Sequence, residues 1–163
     1  MKSIVFAGGC FWGVEAYFKR VEGVADTRVG YIDGYKANPS YEEVCAGSGH
    51  AEAVEVTYDE NVISLNLLLE HFLNIVNPTA INKQGPDIGI QYRTGIYNFS
   101  QRERHIIDEV LKAEREKYER PLQIDIKQES TFYEAEAYHQ DYLEKNPNAY
   151  CHVDLNSVKN VKE

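Results

Sequence analysis

The first group in the sequence able to do chemistry is a cysteine between glycines and aromatics. In Gly8-Gly9-Cys10-Phe11-Trp12-Gly13 an apolar run ends, two glycines turn the backbone, and a helical pattern opens at or just after the sulfur. Unpaired N–H groups and the positive end of the helix dipole then point at the thiol, which stabilises thiolate and lowers a cysteine's pKa. Cys10 reads equally well as a small buried apolar side chain, because free cysteine is among the most buried residue types. Glu52 is the second such group. In His50-Ala51-Glu52-Ala53-Val54-Glu55-Val56-Thr57-Tyr58, alternation puts Glu52 on one face with Val54, Val56 and Tyr58. Turned to a core, its carboxyl would be desolvated and able to donate a proton near neutral pH; at the strand's mouth it would be solvated.

The remaining candidates are less distinctive. Cys151 follows Asn146-Pro147-Asn148-Ala149-Tyr150 and lies beyond the last helical pattern. On a mobile tail it can reach another sulfur, or it is an incidental surface thiol. Cys45, in Glu43-Val44-Cys45-Ala46, has no helix-terminus or charge argument and reads as structurally buried. Tyr41, Tyr92 and the Tyr138-His139-Gln140 run are packing residues by type, with polar handles. Neither Cys45 with His50 nor Cys151 with His152 has the paired close spacing of a zinc site, so no metal is expected.

These groups need elements to hold them. Strand patterns cover residues 3–7, 27–31, 53–58, 93–97 and 123–127. Helical patterns cover 12–21, 65–76 and 101–118, with a shorter one near 134–144. Ser64 is a candidate N-cap, and Ser100 with Glu103 a capping box. The order predicts an α+β, two-layer sandwich with a ferredoxin-like βαββαβ core, a mixed sheet and a mobile C-terminal tail. Residues 33–50 and 78–92 lack periodicity but carry Tyr, Asp, Gly and Pro, and read as site-building loops. No repeat or linker divides the chain, so one domain over residues 1–163 is expected, its tail spanning about 147–163.

Composition limits the partners. A net charge of -9 leaves no basic face for nucleic acid or an anionic membrane. No apolar run approaches the roughly twenty residues needed to span a bilayer. Three widely spread cysteines make a poor disulfide framework, so a cytoplasmic location is expected.

Five blocks, in order, resemble the A type of peptide methionine sulfoxide reductase: residues 9–15, 38–45, 49–54, 87–93 and 138–142. The resemblance implies that Cys10 attacks, Glu52 protonates the sulfoxide oxygen, and Tyr41 and Tyr92 hydrogen-bond to it. Phe11 and Trp12 would hold the substrate methyl group, with Asp87 and His139 also binding substrate. It further implies specificity for the S epimer, a Cys10 sulfenic acid resolved by Cys151, thioredoxin as reductant, no cofactor, and methionine sulfoxide, free or in oxidised proteins, as substrate. No cysteine follows Cys151, so a single Cys10–Cys151 disulfide would face the reductant. A monomer is the default expectation. Two rival readings remain: a peroxidase or acyl transferase pairing Cys10 with His50 or His139, and a non-catalytic pocket for methionine-like groups.

Overall fold

In the computed structural model, which describes residues 1–162, the strands that flank Cys10 and carry Glu52 form the centre of the molecule. The elements run β1 (Lys2–Gly8), α1 (Phe11–Phe18), β2 (Val24–Ile32), α2 (Tyr41–Cys45), β3 (Ala51–Tyr58), α3 (Leu65–Asn74), β4 (Lys83–Gln84) and β5 (Asp87–Ile88). They continue with β6 (Thr94–Tyr97), α4 (Gln101–Arg115), β7 (Ile124–Lys127), β8 (Phe132–Glu134) and α5 (Tyr142–Lys145). The main sheet has the order β7-β6-β1-β3-β2-β8, antiparallel throughout except for the parallel β6–β7 pair. The β6-β1-β3-β2 centre, with α1 and α3 as crossovers, is the expected ferredoxin-like arrangement inside a mixed sheet.

Ile4 and Phe6 of β1, Val54 and Val56 of β3, and Val29 and Tyr31 of β2 are buried with apolar residues of α1, α3 and α4. Phe6 stacks between Phe18 and Phe72, with centroids 5.2 and 4.6 Å away, and ties β1 to both crossover helices. A smaller cluster of Val5, Ala7, Ile32, Ala51, Ala53 and Tyr97 covers the opposite face. The two central strands are therefore buried on both sides, a rigid base for side chains at their ends.

Ser64 caps α3, and Ser100 with Glu103 forms the expected box on α4. The helix expected near 134–144 does not form. That stretch is instead β8, a 3-10 turn at Ala137–His139 and the four-residue α5, broken by a left-handed backbone at Asp141 (φ 56°). Gln140 explains part of the break: its amide exchanges hydrogen bonds with both backbone groups of Val29, so the segment docks on β2 instead of coiling. Within residues 33–50, α2 was not expected, although Ser40 and Glu43 form a complete capping box. The tail, expected to be mobile, is docked: Val153 is buried, Cys151, Leu155 and Val158 pack on the main core, and Asn74 donates to Ser157.

Candidate active site

Gly9 makes the turn from β1 to α1 possible. Its φ of +91° lies in the left-handed region, and a Cβ there would sit 2.8 Å from Gln84 Cβ and 2.9 Å from His152 Nε2. Cys10 follows as the N-cap of α1, and the N–H groups of Trp12 and Gly13 point at its sulfur. They lower the thiol's pKa as expected, yet the net effect is opposite. Burial, and then the facing Glu52 carboxylate, push Cys10 up to about 12, so the resting group is a thiol. The expectation of a free thiolate is therefore corrected: two N–H groups at the start of a short helix do not outweigh a buried site that holds a carboxyl.

Glu52 pairs with Tyr31 across β2–β3 and turns its side chain toward the helices, as the alternation predicts. It is 1% exposed. Its Oε1 accepts from the Phe11 N–H at 3.1 Å, while Oε2 is buried with no partner. Burial chiefly, and the Asp87 charge to a lesser degree, raise its pKa to about 8 against the pull of the Phe11 N–H. At neutral pH it is mostly a carboxylic acid, whose free oxygen can carry a proton to donate.

Tyr41 and Tyr92 are half-buried around this carboxyl. Burial first, and the Glu52 charge second, hold both phenols protonated well above the ordinary tyrosine range. Tyr41 opens α2, and its N–H donates to Glu136 Oε2 while Tyr31 Oη donates to Oε1 of the same carboxylate. Tyr92 ends a 3-10 turn held by Arg93, which donates to the Ile90, Gly49 and Asp33 carbonyls and to the Asp33 carboxylate. Both aperiodic loops are thus fastened at the residue that carries a tyrosine. Cys45 is exposed at the end of α2 instead of buried, because the helix presents Val44 to the core and the next residue to solvent.

An aromatic wall stands beside Cys10. Phe11 is buried and Trp12 half-buried, and both rings flank His139 at 5.1 and 5.8 Å. Trp12 stacks on Tyr142 at 3.8 Å and donates its indole N–H to His139 Nδ1 at 2.9 Å. His139, buried and held neutral by desolvation, fixes the wall from behind. It is reached through Trp12, as a hydrogen-bonded structural histidine. Glu15 accepts from Thr27 and from the Asp141 N–H, clipping α1 to β2 and to the segment bearing His139 and Tyr142.

Asp87, on β5, sits at the rim. It accepts from the Tyr150 hydroxyl at 3.1 Å, and its charge acts on Cys10 and Glu52. Cys151 comes to the same region: an ideal Cβ at Gly13 would lie 3.1 Å from its sulfur. Cys10 and Cys151 are both free thiols, and Tyr150 lies near each. The structure thus gathers every expected site residue around the first turn of α1, with His139 behind the wall. Sequence reading passed over Glu15, Arg93 and Glu136 and took Gln140 only as part of the Tyr138-His139-Gln140 run; all four position the others through contacts to backbone. Their only local signal was a polar side chain beside a singled-out residue.

A thiol facing a buried carboxylic acid, with a second thiol against the same helical turn, defines a cysteine-based oxidoreductase. Residues 2–163 match the family model described as peptide methionine sulfoxide reductase. Peptide methionine sulfoxide reductase MsrA of Clostridium botulinum (strain Okra / Type B1) is 53% identical over 156 residues, covering 95% of this chain and 99% of the relative. The crystal structure of Mxr1 from Saccharomyces cerevisiae in reduced form is similar at a TM-score of 0.86 and 36% identity, over 92% of this chain and 88% of that one. Methionine sulfoxide reductase A of Corynebacterium diphtheriae follows at 0.80 and 33%, over 92% and 77%. The chain belongs to the peptide methionine sulfoxide reductase family, and is an enzyme that reduces methionine sulfoxide. Among the described residues no helix is long and apolar enough to cross a membrane.

Proposed function

We propose that this chain, folded as one domain and acting as a monomer in the cytoplasm, reduces the S epimer of methionine sulfoxide, free or in oxidised proteins, and so repairs them. The epimer and reductant rest on the resemblance, the location on three widely spread cysteines, the monomer on the default expectation, and the chemistry on one observation. Glu52 Oε2 is a buried carboxyl oxygen with no partner, in the site that holds the Cys10 thiol. A sulfoxide sulfur is a poor electrophile until its oxygen is protonated or firmly hydrogen-bonded. Glu52 supplies the proton, and Tyr41 and Tyr92 donate to the same oxygen, which gathers charge in the transition state. Phe11 and Trp12 hold the methyl group and keep water from the sulfur.

Cys10 gives up its proton as it attacks, while the Trp12 and Gly13 N–H groups stabilise the forming thiolate. The sulfoxide oxygen passes to Cys10 as sulfenic acid, methionine leaves, and the thiol proton restores Glu52. Cys151 then displaces the hydroxyl as water, forming the Cys10–Cys151 disulfide, which a dithiol reductant of the thioredoxin type reopens. Cys151 itself lines a surface cavity of about 350 Å³ together with Lys19, Arg20, Glu144, Pro147 and Leu155, which leaves its sulfur approachable by the reductant's thiol. Thiol counting after adding methionine sulfoxide without reductant tests the cycle. Two thiols per chain should disappear; no loss would remove the thiol cycle and leave a pocket that merely binds.

A further inference from the structure

His152 directly follows Cys151 and packs beneath the turn that presents Cys10. Its Nε2 lies 3.0 Å from the Gly8 carbonyl oxygen. A carbonyl has no proton to give, so Nε2 donates, and in the neutral ring Nδ1 is left as a bare acceptor. That Nδ1 is buried without a hydrogen-bond partner. A buried acceptor left unpaired is costly enough to call for a reason.

Gly13 supplies the reason. A Cβ built there would lie 3.1 Å from Cys151 Sγ, 3.2 Å from His152 Nδ1 and 3.2 Å from Val153 Cγ2, so the thiol and the bare nitrogen pack against the same glycine. The N–H of that glycine points at the Cys10 sulfur, which keeps the pair within one residue of the site of sulfenic acid formation. Cys151 spends its own proton on a sulfur hydrogen bond to the Val153 carbonyl at 3.3 Å, which is readily exchanged. His139 and His50 also have a buried, unpartnered Nε2, but His139 Nδ1 accepts from Trp12, so its free nitrogen carries the proton, and His50 is bonded to Ser48; of the three, only His152 shares the Gly13 contact with Cys151.

We propose that His152 Nδ1 takes the proton of Cys151 as that thiol attacks the Cys10 sulfenic acid, and returns it to the departing hydroxyl. The inference rests on Cys151 being the resolving thiol. In this step the Cys10 S–O bond breaks and the S–S bond forms. The Cys151 proton passes through Nδ1 and leaves with the hydroxyl as water, and the oxidising equivalent is the one brought by the sulfoxide. Burial lowers the pKa of His152 against the opposing Gly8 carbonyl and Asp87 charge, so the ring is neutral and able to accept. Asp87, tied to Tyr150, is the charged group facing it; its other neighbours are Gln84 and Gly85 of the β4–β5 turn, and Gly9 and Gly13.

His152→Gln tests this, because its amide N–H can still reach the Gly8 carbonyl while the basic nitrogen is gone. The protein is mixed with one equivalent of methionine sulfoxide, without reductant, between pH 5 and 9. Timed alkylation and peptide mapping then follow methionine and the Cys10–Cys151 disulfide. Methionine release should be unchanged, while disulfide formation at pH 7 slows about tenfold or more. The variant's disulfide rate should then climb about tenfold per pH unit as solvent supplies the Cys151 thiolate. In the parent, the rate should level off at a pKa at or below the ordinary histidine value of 6.5. An unchanged rate, or a slowing equal at every pH, would overturn the proton-transfer role. So would a parent rate that climbs to pH 9 without levelling, even if the variant folds poorly. If Cys151 is missing from the parent's disulfide, the resolving assignment itself fails, and the map separates that outcome from the others.

Discussion

Glu52→Gln changes one atom of the site and isolates the proton from the shape. The amide oxygen can keep the bond from the Phe11 N–H at 3.1 Å, and the amide nitrogen fills the place of the unpartnered Oε2. The variant can still hydrogen-bond a sulfoxide oxygen but cannot protonate it, so kcat/KM should fall about a hundredfold or more. With a pKa of about 8, Glu52 is roughly nine-tenths acid at pH 7 and about one-tenth at pH 9. The parent's rate should therefore drop about tenfold per unit above pH 8, and the variant should lose that limb. The parent's stability falls over the same range. A carboxyl whose pKa rises from 4.5 to about 8 on folding stabilises the fold fully below 4.5 and loses that contribution as pH climbs through about 8. Gln carries no such dependence, so the stability of the variant relative to the parent should improve by about 4 kcal/mol between pH 5 and 9. Single-turnover methionine release and urea denaturation over that range read both effects. A variant that keeps the parent's rate, or a stability difference that is flat with pH, would refute the buried-acid reasoning.

Tyr41→Phe and Tyr92→Phe each remove one donor to the developing oxyanion, and single-turnover rates should fall about tenfold to a hundredfold while keeping the limb near pH 8. Gly9→Ala forces a Cβ to 2.8 Å from Gln84 Cβ at φ +91°, and urea unfolding should show a loss of about 2–4 kcal/mol. His139→Ala leaves the Trp12 indole N–H without its acceptor, so calorimetry should show destabilisation by about 2–4 kcal/mol and steady-state assays a raised KM. Cys45→Ser should still form the Cys10–Cys151 disulfide, as mapping after one turnover would report, because Cys45 points to solvent from α2.

The fold was legible where periodicity and capping agreed. Strand alternation put Glu52 on one face with Val54, Val56 and Tyr58, and the structure shows that face buried; Ser64 and Ser100 marked true helix starts. It failed where a side chain bound backbone at long range: Gln140 docking on Val29 breaks a pattern that reads locally as helix. The α2 capping box at Ser40 and Glu43 was readable, but it precedes only five helical residues, too short a span for an apolar stripe. Cys10 shows a different limit. Its helix-terminus argument was sound locally, but its protonation is set first by burial and then by a carboxyl 42 positions away in sequence, neither of which the local pattern contains. Glu136 holds Tyr41 from 95 positions away, and Arg93 fastens the turn ending at Tyr92 to Gly49 and Asp33, 44 and 60 positions away, links that a local pattern cannot carry.

A single turnover by Cys151→Ser bears most directly on the attacking role of Cys10. Mixed with excess methionine sulfoxide and no reductant, the variant should release one methionine per chain and stop. Mass spectrometry should then place one added oxygen on Cys10, trappable by a sulfenic-acid reagent. Methionine release without that oxygen, or with it on Cys45, would contradict the account.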